Sequence, residues 1–415
     1  MFSTPKTRMR RRSPRIAFAL LLTLAVIAGQ ADAGAAAGGK RPASLDPYFG
    51  TGGVVSSGTF MPGFHRVGGI ALTGGGNILL ASSGQGGATL ARFFPDGSLD
   101  SSYAGGVGVL RLPDLVKVGD VAAGSDEGAY LLSGTQRVTR VTPAGSVVEG
   151  FGSDGSAYVP ELDPRFGPLH FSALAVASDG DVLLAGIRWG SPRMVVVKLR
   201  SDGTPDPAFG DGGLATVAIP GRGSGAFKIA VEPNGKIVLG GYALGRPALA
   251  RLYADGRPDR SFGTNGVAIA PGRLRGRVTA LSLRPHGGIV VAGPGFAWKH
   301  KGNGIFFLRY GKGGNLDRRF GPPGLATELR KYATPTAIAL VGGRVALSAT
   351  GPEPALQLYT QRGRPLQSLE GAPGVPSHLF AGIHAAQQGR KLLFTWTPEH
   401  RPGKGEIRLE RFLVH

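Results

Sequence analysis

The sequence predicts an all-β fold, a seven-bladed β-propeller of four-stranded repeats about 48–58 residues long, and three observations lead there. Glycine supplies 70 of the 415 residues, about 17% where ordinary proteins carry about 7%. A phrase ending in an aromatic residue returns along the chain at irregular intervals in the range of propeller and solenoid repeats. Between these aromatics, an apolar strand, a glycine turn and a second apolar strand recur seven times.

The first segment reads as an export signal. Arg8, Arg10, Arg11, Arg12 and Arg15 precede an apolar run from Ile16 to Ala28, shorter than the roughly 20 residues a spanning helix needs. Ala31-Asp32-Ala33 supplies a small-x-small cleavage pattern, so residues 1–33 are expected to be a signal peptide cleaved after Ala33, with 34–44 a short flexible linker and 45–415 the propeller. The mature chain is then expected outside the cytoplasm, secreted or in the cell envelope, with no transmembrane segment. The sequence contains no cysteine, which excludes disulfides and thiolate metal sites, so packing must supply the stability.

The aromatic phrase appears as Leu45-Asp46-Pro47-Tyr48-Phe49-Gly50, Leu99-Asp100-Ser101-Ser102-Tyr103 and Phe151-Gly152, then as Asp206-Pro207-Ala208-Phe209-Gly210, Asp259-Arg260-Ser261-Phe262-Gly263 and Asp317-Arg318-Arg319-Phe320-Gly321. The strand–turn–strand phrase is clear in Ala71-Leu72 through Gly76-Asn77 to Ala81, in Ala175-Val176 through Gly180-Asp181 to Gly186, and in Ala230-Val231 through Gly235-Lys236 to Gly240. An alternating strand follows each, as in Leu90-Ala91-Arg92-Phe93 before Asp96-Gly97. Asp-Gly signals a tight turn because glycine accepts positive φ cheaply. The last such strand, Ile407 to Phe412, stops without its turn, and the first anchor, Leu45 to Gly50, has no strand before it. These two incomplete ends complement one another, which suggests that they close a ring and remove the exposed sheet edges.

The phrases at 230–241 and 250–263 resemble the delta-60 repeat family, and the resemblance extends over essentially 45–415. It implies an exported bacterial propeller and no particular activity. Tyr103-Ala104, Thr142-Pro143-Ala144-Gly145 and Leu369-Glu370 depart from the pattern.

Once-per-repeat Phe49, Phe151, Phe209, Phe262 and Phe320 read as packing wedges between blades, each stabilising by roughly 1.5–3 kcal/mol when buried. The aspartate pairs Asp96/Asp100 and Asp255/Asp259 read as Asx turns, since they lack the spacing of a calcium loop. No hydrolase elbow, zinc helix or phosphate loop occurs. Histidines such as His65, His170, His286 and His384 share no repeat position and read as surface or loop residues, so no metal and no cofactor is expected. Asp114, Glu161 and Glu328 are the carboxylates that break the repeat pattern.

Charge is uneven: residues 34–220 carry 13 basic and 16 acidic side chains, whereas 221–415 carry 28 and 10. A ring so charged attracts anionic partners on one side. The loops after each repeat's third strand hold Trp189 with Arg193, Tyr242 with Arg246, Trp298 with Lys299 and Lys301, and Trp396 ahead of Arg401 and Lys404. Aromatic faces beside cations suit a flat or ring-shaped anionic ligand. Trp189, Arg193, Tyr242, Arg246, Trp298, Lys299, Lys301, Arg401 and Lys404 are therefore the candidate binding rim. The expected function is a non-enzymatic binding or scaffold propeller for an anionic polysaccharide or cell-wall polymer, with no nucleic acid expected. The alternative is a propeller-type lyase or glycoside hydrolase acting on an extracellular polysaccharide. A cluster of carboxylate with histidine, tyrosine or arginine at the channel mouth would favour the alternative, and small or apolar residues there the scaffold.

Overall fold

The computed structural model describes residues 43–57, 65–84, 86–159, 163–166, 169–190, 193–219, 223–272, 274–296, 304–321, 325–328, 333–350, 355–368, 380–398 and 407–415. The expected signal peptide and most of the linker lie outside them.

Seven antiparallel sheets account for the strands among these residues. Blade 1 runs outward from the axis as His65–Leu72, Ile78–Gly84, Gly87–Phe93 and Val109–Leu112. Blades 2, 3 and 4 begin at Val118–Ala123, Leu169–Val176 and Ser224–Val231. Blade 5 begins with a broken strand, Arg275–Gly276 and Ala280–Leu283, and blades 6 and 7 begin at Thr334–Val341 and Phe380–Gln388. Each first strand touches the first strands of the two neighbouring blades, and the seventh touches the first. This closed circle identifies them as the innermost strands, a point the sequence left open.

Ring closure is made by the chain ends. Arg408–Val414 pairs with Ala43–Leu45 through Ala43↔Val414 and with Val54–Ser56 through Val54↔Glu410. The strand following the first anchor thus completes blade 7 instead of opening blade 1. Repeat and blade are consequently one strand out of phase, since Val54–Ser56 belongs to blade 7 and the first strand of blade 1 begins at His65. The offset has a physical use, because a ring closed by backbone pairing of its two ends cannot open without breaking a sheet.

The apolar residues form seven buried clusters among the described residues, each spanning two adjacent blades; Phe151, for example, packs with Leu174, Leu184 and Val197 of blade 3. The core therefore lies between sheets rather than within one.

The repeated phrases build the joints between blades. The anchor aromatic of one blade meets the glycine turn of the next: a Cβ on Gly97 of the Asp96-Gly97 turn would stand 2.7 Å from Phe49, and one on Gly314 3.0 Å from Phe262. Both glycines also have positive φ, so two independent constraints demand glycine there. The residue after each aromatic donates its N–H to that turn, as Gly50 does to the Asp96 carbonyl and Gly263 to the Gly313 carbonyl, both within 2.9 Å.

An arginine on the third strand completes the joint. Arg251 pairs with Asp259 at 2.7 Å, lies 4.6 Å over the Phe262 ring, and donates to the Lys312 carbonyl of blade 5 at 2.6 Å. Arg92 with Asp100, Arg309 with Asp317 and Arg411 with Asp46 repeat the arrangement. The Asx-turn reading holds: Asp96 accepts from the Ser98 N–H and Asp255 from the Arg257 N–H. What sequence reasoning missed is that the second aspartate of each pair also anchors an arginine. The signal was available, because the arginine precedes the aspartate by eight residues in Arg92/Asp100, Arg251/Asp259 and Arg309/Asp317.

Candidate functional site

Because strands alternate in direction, the loops separate onto two faces. The turns between first and second strands and the long loops carrying the anchors share one, the anchor face. The hairpins between second and third strands and the crossings to the next blade share the other, the hairpin face. The anchor face is occupied by the joints, and its carboxylates Asp46, Asp100, Asp206, Asp259 and Asp317 are all paired with basic side chains. On the hairpin face, Arg66, Lys117, Arg193, Arg275 and Arg277 are exposed. None of the ion pairs among the described residues involves these five.

A cleft of about 690 Å³ opens on this face between blades 4 and 5, lined by Phe227, Tyr242, Gly245, Arg275, Gly276, Arg277 and Pro294. Phe227 reaches it because the innermost strand of blade 4 bulges between Ala226 and Lys228, and a bulge re-aims the extra side chain. The rings of Phe227 and Tyr242 stack with centroids 6.0 Å apart and planes 26° from parallel. The Arg277 guanidinium stands 5.3 Å from the Phe227 centroid, and Arg275 donates to the Leu244 carbonyl at 2.9 Å. The cleft thus offers two aromatic faces and two guanidinium groups, with no carboxylate in its lining. A larger hollow between blades 2 and 3 mixes Lys117 and Arg137 with Asp114, Asp154 and Asp202, and so has no field of one sign.

The structure distributes the sequence-predicted rim unevenly. Trp189 is 63% exposed at the tip of its hairpin, with its ring edge-on to His170 at 5.2 Å. Arg193 is exposed beside it, and Tyr242 lines the cleft. Arg246 is half-buried and donates to the Ala270 carbonyl, so it ties the hairpin to the crossing segment. Trp298, Lys299, Lys301, Arg401 and Lys404 lie outside the described residues. Trp396, read as the start of a rim loop, is instead buried between blades 6 and 7, where its indole N–H donates to Glu410 at 3.2 Å. Its alternation with Leu392 and Phe394 on one strand face is the reason.

Arg275 and Arg277, which the sequence analysis passed over, supply the cleft's charge. They occupy the broken innermost strand of blade 5, where no repeat phrase drew attention to them.

A second group lies in the channel wall. Register places Gly69, Asp120, Ala173, Lys228, Ala280, Ala337 and His384 at one level of the seven innermost strands. Four are small, and three are titratable. Asp120 accepts the Leu174 N–H of blade 3 at 3.0 Å, yet burial raises its pKa against the pull of Lys228 and those N–H bonds. His384 is pushed down to about 3, chiefly by desolvation and further by Lys228 and Arg66, so it is neutral at pH 7. His384 and His170 are therefore innermost-strand residues, which corrects their reading as surface or loop positions.

Of the pattern-breaking carboxylates, Asp114 is exposed on a crossing loop, Glu161 lies outside the described residues, and Glu328 ends an outer strand. None belongs to the described channel wall. Asp120 does, and only alignment of the residue just before each innermost apolar run would have revealed it.

No group of three or more potential metal-binding side chains converges among the described residues. No helix among them is long and apolar enough to cross a membrane.

Comparison with known proteins agrees with the architecture. Residues 72–103, 177–209 and 232–262 match a family described as a domain of unknown function (DUF5122) β-propeller. Each matched segment runs from the end of an innermost strand to an anchor aromatic. No curated protein matches the chain in sequence. Among solved structures, a catalytically inactive histidine variant of virginiamycin B lyase from Staphylococcus aureus with quinupristin is similar, at a TM-score of 0.56 and 12% identity over 86% of this chain and 98% of that one. A selenomethionine form of the same lyase gives 0.52 and 14%, over 84% and 95%. PorZ, a surface component of the type-IX secretion system of Porphyromonas gingivalis, gives 0.46 and 12%, over 82% and 46%. At such identities the likeness is one of fold.

Proposed function

We propose that the chain is a secreted, non-enzymatic propeller of the delta-60 repeat type that holds an anionic polysaccharide or cell-wall polymer on its hairpin face. The observation that carries this reading is the cleft between blades 4 and 5, where Phe227 and Tyr242 lie beside Arg275 and Arg277 without a lining carboxylate. A sugar ring presents an apolar face to an aromatic side chain, while guanidinium groups bind carboxylate or sulfate. Acidic saccharides meet both requirements. The excess of basic residues after position 220 extends the attraction beyond contact distance, screened over about 8–10 Å at ordinary salt.

The test is retention on immobilised polygalacturonate and on heparin at low salt. Arg275→Ala with Arg277→Ala is expected to weaken binding about tenfold or more, and Tyr242→Ala about five- to tenfold, at unchanged thermal stability. Retention equal to that of the parent protein overturns the reading. Replacing Trp298, Lys299 and Lys301 together by alanine, at the sequence-predicted rim of blade 5, is expected to lower the salt concentration for elution further.

A specific observation also favours the second reading, a propeller-type lyase or glycoside hydrolase. Asp120, Lys228 and His384 share one level of the channel wall, which is the kind of titratable cluster from which an acid–base site is assembled. Release of unsaturated or reducing ends from polygalacturonate, abolished by His384→Ala, would replace the scaffold reading with this one.

A further inference from the structure

The titratable residues of the channel lie in three different blades and make no ion pair among the described residues. Lys228 sits within electrostatic reach of both Asp120 and His384. Arg66 and His384 line a common cavity of about 260 Å³ at the channel mouth, together with Lys117, Ser83, Thr336 and Thr350.

The charges around His384 can be taken element by element. The innermost strand of blade 1 presents Arg66 and the crossing into blade 2 presents Lys117, while Lys228 on the innermost strand of blade 4 acts on the imidazole from outside the cavity lining. Blade 6 presents the hydroxyls of Thr336 and Thr350, and the second strand of blade 7 pairs Thr395 with His384. Asp120 does not line this cavity, and its oxygens already accept the Leu174 and Val121 N–H groups. Two cations thus line the cavity with a neutral imidazole, a third acts on it from blade 4, and the single carboxylate of that level is engaged elsewhere. Such a site favours a bound anion, which would neutralise the cations and remove the obstacle to protonating the imidazole.

We propose that the channel mouth is an anion-binding subsite in which Arg66, Lys117 and His384, drawn from blade 1, the crossing into blade 2, and blade 7, hold a carboxylate- or phosphate-sized oxyanion, and that His384 takes up a proton from solvent as the anion binds. The inference is independent of the cleft between blades 4 and 5. It adds a site for a single anionic group, whether free or the end of a chain.

The experiment is NMR titration of the histidine-labelled full chain with glucuronate, inorganic phosphate and a short oligogalacturonate, with the His384 resonance assigned by His384→Gln. Saturating anion is expected to raise the midpoint of the His384 titration by more than one pH unit. By linkage, the anion then binds more tightly as the pH falls, and the gain reaches tenfold only below the midpoint of the anion-free His384. Arg66→Gln and Lys117→Met are each expected to weaken binding about tenfold, and Arg66→Gln, without anion, to move the His384 midpoint upward. Response to all three ligands assigns the site to a free anion, and response to the oligosaccharide alone assigns it to a chain end. An unmoved His384 midpoint at saturation with every ligand, or binding indifferent to both variants, overturns the proposal. Arg275→Ala with Arg277→Ala is expected to leave the titration unchanged, which separates this site from the cleft.

Discussion

Asp259→Ala is expected to destabilise the propeller by about 3–5 kcal/mol, the usual cost of stripping one partner from a buried ion pair. Asp259 is fully buried and holds Arg251 at 2.7 Å and Lys236 at 2.9 Å, while its other oxygen accepts the Ser261 N–H and hydroxyl. Removing it leaves the guanidinium of Arg251, itself only 3% exposed, with Glu232 at 3.3 Å as its remaining carboxylate. The same guanidinium covers Phe262 and holds the turn of blade 5, so the loss propagates across the joint. Asp255→Ala is the control: its pair with Arg257 is surface-exposed, and the change is expected to cost under about 1 kcal/mol. Denaturant midpoints distinguish the two. Equal midpoints would mean that the buried network contributes nothing beyond packing. The partners hold the Asp259 carboxyl well below the usual carboxylate range against its desolvation. Its contribution is therefore present above about pH 4 and is lost as the pH falls below that.

Glu410→Gln is expected to act in the opposite direction. Glu410 is fully buried in the third strand of blade 7, accepts the Trp396 indole N–H through one oxygen, and has no partner for the other among the described residues. Desolvation pushes its pKa up to about 7, against the smaller pull of Trp396 and Arg408. A carboxyl whose folded pKa is raised favours the folded state fully below its unfolded pKa, near 4.5, and that advantage fades as the pH rises toward 7. The shift corresponds to roughly 3 kcal/mol between those limits. Parent protein is thus expected to lose stability between about pH 4.5 and 7, and glutamine, which is neutral throughout, to remove that slope. Thermal melts at pH 4.5 and 8 read the effect directly. The two proteins should differ little at the lower pH, with the variant melting several degrees higher at pH 8. A parallel pH dependence in both would place the titration elsewhere.

Glu410 also belongs to the strand that closes the ring, since it pairs with Val54. Stability lost there is lost at the seam between the chain ends, so opening at high pH is expected to begin in blade 7.

How much could be read in advance depended on whether a residue repeats. Phe49, Phe262, Gly97 and Gly256 recur once per unit because every joint makes the same steric demand, and recurrence is visible without coordinates. The complementarity of the two ends was legible for the same reason, whereas the short strand Ala43–Leu45, which precedes the first anchor and also pairs with the last strand, was not. The phase between repeat and blade was not, because strand order in sequence does not say which strand faces the axis. The cleft and the channel group were still less accessible. Arg275 and Arg277 depart from the repeat at a broken strand, Phe227 sits at a bulge that most innermost strands share and that sequence does not mark, and Asp120, Lys228 and His384 are scattered over more than 260 positions.

Local chemistry therefore determined the strands, the turns, the anchors and their number, since each follows from side-chain size, φ preference and alternation within a few residues. Tertiary structure alone decided which face is free and which charges meet. Closing the ring brings one position from each blade to a common level, and it leaves the anchor face consumed by its own joints.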